Sequence, residues 1–168
     1  MKLGLHTYSL YHHGIGPAWG GFTLPWPRQL STFALLELLP TLDLEGVQLD
    51  DGVLERLDLG YLNEVKAEAD ARGLFIEYNF SMDMAQRGVG VQHDLAEAIA
   101  AAAALGADVL NISRDITRPR PVAASRFHPK VIAQLETVPD QVRKHLPRAI
   151  ERGLRLAFEN HCDTFADE

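Results

Sequence analysis

The amino-acid sequence predicts an α/β protein built around a parallel β-sheet. Short apolar runs alternate with longer stretches of helical period along the 168 residues, and this alternation is typical of strand-helix-strand units. Glycine follows two of the helical stretches, at Gly73 and Gly106, in the position where helices commonly end. Because no linker, low-complexity segment or change of composition interrupts the pattern, we expect a single domain over residues 1–168.

The first strand and the first helix are predicted from the opening of the chain. Residues 2–7 form a short alternating run, and glycine and proline recur between residues 14 and 27, where they exclude regular structure. A helix is expected over 28–39 because its leucine, phenylalanine and alanine residues form a broad apolar face. Pro40 should end this helix one residue before the apolar pattern ends.

Two further strand and helix pairs follow in the middle of the chain. The strands are predicted at 46–50 and 74–79, where apolar and polar residues alternate. The helix over 54–71 has the apolar period of a helix and ends before Gly73. The helix over 94–105 contains an unbroken alanine run, the residue with the highest helix propensity.

The last third of the chain repeats the same unit. A strand is expected at 108–113 and another at 154–160, with a helix over 129–152 between them. Pro139 and Pro147 lie inside that helix, and we expect them to break it into pieces because proline lacks the backbone donor that a helix requires.

Charge and cysteine content limit the function classes. The chain has 23 acidic and 16 basic side chains and a formal net charge of -7, a balance that would repel nucleic acid. No apolar run reaches the ~18 residues of a membrane span, and no secretory signal is evident. One cysteine cannot form an intramolecular disulfide, so a reducing cytoplasm is the expected location. A metal ion or a small molecule is the expected partner.

Polar residues collect at the carboxyl ends of the predicted strands. The period of two places them on the strand face opposite the helix-packing residues, and the set is His6, Asp50, Asn79, Asn111, Ser113, Glu159 and His161. A flat sheet with helices on both faces would require apolar residues there, since an unpaired buried polar group costs about 1 to 3 kcal/mol. The mouth of a barrel would require polar ones. Any single member could instead anchor a loop, but the convergence of five strands favours a site.

The segment around Glu159 has the most specific chemistry. Glu159 and His161 are two residues apart on an extended strand, so both side chains leave on the same side. A carboxylate beside an imidazole suits a divalent metal site in which the carboxylate binds the ion and the histidine moves a proton. The alternative is a polar strand end that faces solvent. Arg114 and the arginines at 118, 120 and 126 could likewise meet an anionic substrate or be solvated loop charges.

Several segments resemble the sugar phosphate isomerase/epimerase family, which belongs to the xylose-isomerase-like TIM barrels. The strongest is Ala157-Phe158-Glu159-Asn160-His161, and the others are residues 3–9, 46–50, 77–80, 93–95 and 105–108. The resemblance covers the whole chain and implies a (β/α)8 TIM barrel that is truncated after the fifth strand. The length agrees with this, since such a barrel usually needs about 250 residues.

The resemblance also implies a function and roles for the site residues. It implies a metal-dependent isomerase or epimerase that acts on a sugar or sugar-like hydroxycarbonyl compound by proton abstraction and an enediolate. Glu159 would bind a divalent ion (Mn, Mg or Co), and His161 would contact the substrate or act as an acid or base. Substrate hydroxyls would be oriented by His6, Asp50, Asn79 and Asn111. The remaining metal ligands of the family lie on strands six to eight, beyond Glu168, so we expect the 168-residue chain alone to be inactive.

Other functions remain open on the sequence. A lyase on the same scaffold would dehydrate an inosose-like or dehydroshikimate-like substrate after the same proton abstraction. A non-catalytic five-stranded α/β binding module of the flavodoxin-like kind would need an apolar second sheet face. Pairing of two copies would close exposed strand edges, so a homo-oligomer is also considered.

Overall fold

Five parallel strands form one sheet in the order in which they follow one another along the chain. The computed structural model describes residues 2–7, 9–10, 30–82, 93–114 and 128–159. The strands are β1 (Gly4–His6), β2 (Gly46–Asp50), β3 (Phe75–Ser81), β4 (Val109–Ser113) and β5 (Arg155–Phe158). A flavodoxin-like module would have the strand order 2-1-3-4-5, whereas sequential order is how a (β/α) barrel winds. The topology therefore agrees with the barrel and not with the five-stranded open module.

Each described helix lies between two consecutive strands and begins at a specific capping residue. The described helices are α1 (Thr32–Leu38), α2 (Leu59–Ala71), α3 (Leu95–Ala104) and α4 (Pro129–Glu151), with a 3₁₀ turn at Leu39–Leu42 after α1. Two of them begin later than the sequence predicted, at 32 instead of 28 and at 59 instead of 54. Ser31 Oγ accepts the Ala34 N–H at 3.2 Å, and Asp58 Oδ1 accepts the Tyr61 N–H at 3.0 Å. These caps satisfy free amide groups and so fix the first turn of each helix.

The expected break in the last helix is wrong. Helix α4 runs without interruption for 23 residues with Pro139 and Pro147 inside it. Its buried residues, Val131, Val138, Val142 and Ala149, recur at the spacing of one helix face. Burial of that face offsets the lost hydrogen bonds, since proline costs about 3 kcal/mol in a helix interior. Within the described ranges, no helix has the uninterrupted apolar length that crossing a bilayer requires.

The helices cover one face of the sheet and form the main core with it. Along β3 the side chains alternate, with Ile76, Tyr78 and Phe80 buried and the residues between them half-buried. The buried set packs against helix residues such as Leu62 of α2 and Ile99 of α3. The period of two therefore assigns the helix-facing side of β3 as the sequence predicted.

The opposite face of the sheet, here called the inner face, carries the polar strand ends. Its amino-terminal end is closed by the ring of Phe75, which lies over Gly4 and Gly46. Toward the carboxyl ends of the strands the register places Asp50 beside Asn79 and Asn79 beside Asn111. A row of polar side chains from three adjacent strands thus crosses the inner face above an apolar floor.

Candidate active site at the carboxyl ends of the strands

Asp50 is the centre of a buried hydrogen-bond cluster on β1, β2 and β3. The Thr7 hydroxyl donates to Asp50 Oδ2 at 3.0 Å and accepts the Asp50 backbone N–H at 2.9 Å. Asn79 Nδ2 donates to Asp50 Oδ1 at 2.5 Å. The ring of His6 lies close by, with Nε2 3.6 Å from Asp50 Oδ1. Asp50 is 4% exposed, so its carboxylate is shared among protein donors.

The amide of Asn79 is satisfied on one side only. Its Nδ2 is bound to Asp50, and its Oδ1 is buried without a hydrogen-bond partner in the part of the chain that the structure describes. Buried polar atoms in native proteins nearly always have a partner, whether from the protein, water or a ligand. This oxygen is therefore a candidate contact for a bound molecule.

Glu159 lies at the end of β5 and is held by Asn111 of β4. Asn111 Nδ2 donates to Glu159 Oε2 at 2.9 Å. The side chain reaches the inner face because Ala157, two residues earlier, pairs with Asn111 in the sheet. A neighbouring amide donor fixes the carboxylate and leaves it half-buried, which is how carboxylate ligands of metal ions are commonly oriented.

A second polar pair lies one layer deeper on the inner face. Gln48 Nε2 donates to Glu77 Oε2 at 3.1 Å, and His6 is the register neighbour of Gln48 on β1. The layer of His6, Gln48 and Glu77 separates the Phe75 floor from the row that contains Asp50. Polar side chains therefore continue along the inner face from the carboxyl ends of the strands toward Phe75.

The sequence prediction missed Thr7 and Asp51. Thr7 is completely buried and was not singled out, because strict alternation from His6 assigns it to the helix side. Asp51 is 4% exposed, accepts the Ser81 N–H at 2.8 Å and donates its own N–H to the Asn79 carbonyl at 2.9 Å. The adjacent acidic pair at 50 and 51 was the available signal, since two buried carboxylates require specific donors.

Tyr78 and His93 form a polar contact beneath the helix layer. The Tyr78 hydroxyl lies 3.0 Å from His93 Nε2, and the His93 ring is 4.9 Å from that of Phe80. Burial raises the pKa of Tyr78 well above 10.0, and the nearby charges of Asp51 and Asp50 act in the same direction. The phenol therefore stays neutral to a higher pH than a free tyrosine, and its contact with His93 lies on the helix-facing side of the sheet.

The arginine predicted to meet an anion lies at the end of β4. Partial burial lowers the pKa of Arg114, and the arginines at 118, 120 and 126 lie outside the described residues. An anion site formed by this loop therefore stays a prediction.

The described residues supply one predicted metal ligand and not a full set. Among them, no group of three or more His, Cys, Asp or Glu side chains is placed to share an ion. Glu159 has the oxygen donor that a hard divalent ion prefers and is oriented by Asn111. His161, predicted as the acid or base, lies outside the described residues. Its role stays a prediction, as do the substrate contacts of His6, Asp50, Asn79 and Asn111.

Comparison with solved structures identifies the fold. The chain is similar to D-psicose 3-epimerase with D-tagatose from Clostridium cellulolyticum H10, with a TM-score of 0.61 and 13% identity over 93% of this chain and 51% of that one. It is similar to a D-psicose 3-epimerase determined in the presence of D-fructose, with a TM-score of 0.57 and 12% identity over 96% and 55% of the two chains. A xylose isomerase domain protein from Planctomyces limnophilus gives a TM-score of 0.52 and 12% identity over 95% and 52%.

These similarities define the class of fold and its extent. The neighbours are TIM barrels, and the predicted likeness to xylose-isomerase-like barrels is confirmed at the level of the fold. The chain spans about half the length of the solved proteins that it matches. No protein-family model and no curated protein matches the sequence.

Proposed function

We propose that the full-length protein is a sugar isomerase or epimerase that acts on a ketose or a similar hydroxycarbonyl compound. The observation that carries the proposal is the polar row on the inner face, which ends at Glu159 with its carboxylate held by Asn111 at 2.9 Å. In TIM-barrel enzymes the active site lies at this end of the strands. Two of the structural neighbours are named as epimerases of D-psicose, which supports a ketose as the proposed substrate class.

Glu159 would be the metal ligand that this part of the chain contributes. Its donor type suits Mn, Mg or Co, and Asn111 holds it in one orientation. When bound, such an ion polarises a carbonyl oxygen and makes the neighbouring C–H proton easier to remove. His161 would contact the substrate or move that proton, and the partner ligands would come from outside the described residues.

The remaining polar groups would bind and orient hydroxyls. Asn79, Asn111 and His6 are half-buried on the inner face, and each side chain carries a group that can hydrogen-bond a hydroxyl. Orientation of this kind lowers the activation barrier, because the reacting C–H bond is held in one position relative to the base. Below these side chains, the ring of Phe75 closes the amino-terminal end of the inner face.

Exchange of a substrate proton with solvent tests the proposal. The full-length protein with added Mn²⁺ is incubated with D-fructose, D-psicose or D-tagatose in D₂O, and deuterium at the carbon beside the carbonyl is measured by NMR. We expect exchange together with an epimeric ketose or an isomeric aldose, and we expect Glu159→Gln to abolish both. Glu64→Gln, on the exposed face of α2, is the matched control and should keep full activity.

Three outcomes distinguish the candidate functions. Exchange with formation of an epimer or of an aldose isomer supports the proposal, whereas exchange followed by loss of water would indicate a lyase on the same scaffold. Absence of exchange with every ketose and hydroxyketone, in the presence of metal, would contradict both.

A further inference from the structure

The carbonyl oxygen of Asn79 is an acceptor whose direction is fixed by other residues. Asn79 Nδ2 donates to Asp50 Oδ1, so a half-turn of the amide would bring two acceptor oxygens together. Such a contact is repulsive, and the observed orientation is therefore strongly preferred. Oδ1 then points away from Asp50, is buried, and has no partner in the described part of the chain.

Asp50 is itself held in place by Thr7, the residue that follows β1. The Thr7 hydroxyl accepts a hydrogen bond from the Asp50 N–H at 2.9 Å. The same hydroxyl donates a hydrogen bond to Asp50 Oδ2 at 3.0 Å. Thr7 and Asp50 are 0% and 4% exposed, so water does not compete for these bonds. Both carboxylate oxygens thus accept from protein donors, and the bonds form a chain from Thr7 through Asp50 to Asn79.

We propose that Asn79 is a specificity-determining residue whose Oδ1 accepts a hydrogen bond from a ligand hydroxyl, with Asp50 and Thr7 as positioning residues. In this inference Asp50 acts through Asn79 and does not contact the ligand, in contrast to the role expected from the sequence. The identity of the ligand as a polyhydroxylated small molecule rests on the proposed function. The orientation of the amide does not depend on it.

Binding of D-fructose to the full-length protein tests the acceptor. Asn79→Leu keeps the size of the side chain and removes the carbonyl, so affinity measured by isothermal titration should fall about tenfold to a hundredfold. Asn63→Leu makes the same substitution on the exposed face of α2 and should leave affinity unchanged. Circular dichroism confirms that each variant is folded. Affinity of Asn79→Leu within about twofold of the parent would overturn the assignment of Asn79, since even a weak neutral hydrogen bond is worth more than that.

A double-mutant cycle tests the positioning role. Asp50→Asn should weaken D-fructose binding, and Asp50→Asn combined with Asn79→Leu should bind no more weakly than Asn79→Leu alone. Effects that add would show that Asp50 acts independently of Asn79, because independent sites are additive. Thr7→Val, which preserves side-chain shape, provides the same cycle if Asp50→Asn does not fold.

Failure of the proposed function has a separate signature. If the parent protein binds none of D-fructose, D-psicose and D-tagatose, the proposed sugar substrate is wrong. A crystal structure of the ligand-free protein then tests separately whether Asn79 Oδ1 acts as a hydrogen-bond acceptor. We then expect an ordered water with its oxygen within about 3.2 Å of Asn79 Oδ1. An amide turned with Nδ2 toward the interior, or an Oδ1 without any donor, would overturn the inference.

Discussion

Gly46, at the start of β2, is packed so closely that we predict Gly46→Ala to destabilise the fold. A Cβ atom at this position would overlap the ring of Phe75 and would lie 2.5 Å from the Phe75 carbonyl oxygen. The ring could turn away, but the carbonyl oxygen belongs to the β3 backbone, and Gly46 and Phe75 are register neighbours. Strands β2 and β3 would therefore have to separate locally.

The expected cost is set by overpacking. Inserting a methyl group into a close-packed region costs about 1 to 3 kcal/mol, and we expect the upper half of that range because backbone must move. For a protein of this size each kcal/mol lowers Tm by about 2 to 4 °C, so Tm should fall by about 4 to 12 °C. A loss of this size is a large share of the stability of a typical domain.

Thermal and urea unfolding measured by circular dichroism check this prediction. Gly73→Ala is the matched control, since Gly73 has a φ of +67° and no atom within 4 Å of an added Cβ. Its cost is backbone strain alone, about 1 to 2 kcal/mol. In a Phe75→Ala background the effect of Gly46→Ala should shrink, because the ring is gone, without disappearing, because the carbonyl remains. A Gly46→Ala protein as stable as Gly73→Ala would refute the close packing of the barrel floor.

Three further predictions concern the site and the helices. Asn111→Leu removes the hydrogen-bond donor to Glu159 Oε2. It should weaken Mn²⁺ binding by the full-length protein about 10- to 100-fold, measured by isothermal titration. Unchanged Mn²⁺ affinity would argue against Glu159 as a ligand that Asn111 orients. The raised pKa of Tyr78 predicts stability that is complete below pH 10.0 and lost at higher pH. Tyr78→Phe should remove this alkaline decrease in Tm, and a persistent decrease would assign it to another group. Pro147→Ala restores a helix N–H and should raise the free energy of unfolding, measured by urea denaturation, by up to about 3 kcal/mol. An unchanged free energy of unfolding would mean that α4 is adapted to the proline.

The extent to which the sequence predicted the fold differs between elements. Strand β2 has the predicted bounds, 46–50, because its apolar alternation is bounded on both sides. Helix α2 starts five residues later than its apolar pattern indicates, because Asp58 caps it, and a cap outweighs periodicity at a helix start. Helix α4 continues through two prolines, since packing against the neighbouring elements is a tertiary contribution that local propensity does not contain.

In the candidate site, local sequence and tertiary structure also determined different features. The period of two in each strand was sufficient to place Asp50, Asn79, Asn111 and Glu159 on one face, because side-chain direction in a strand is a local property. Which of these side chains meet was decided by strand register, which pairs Asp50 with Asn79 and brings Asn111 to Glu159. Register depends on packing between segments that are far apart in the chain.

The sequence by itself determined the α/β class, the polar face of the sheet and the resemblance to xylose-isomerase-like barrels. Only the tertiary structure decided that Asp50 is buried and bound by Thr7 and Asn79, and that Asn79 Oδ1 has no hydrogen-bond partner among the described residues. The physical reason is that a hydrogen bond requires two groups at a defined distance and angle. Local sequence fixes the groups, and the long-range assembly of the sheet fixes their separation.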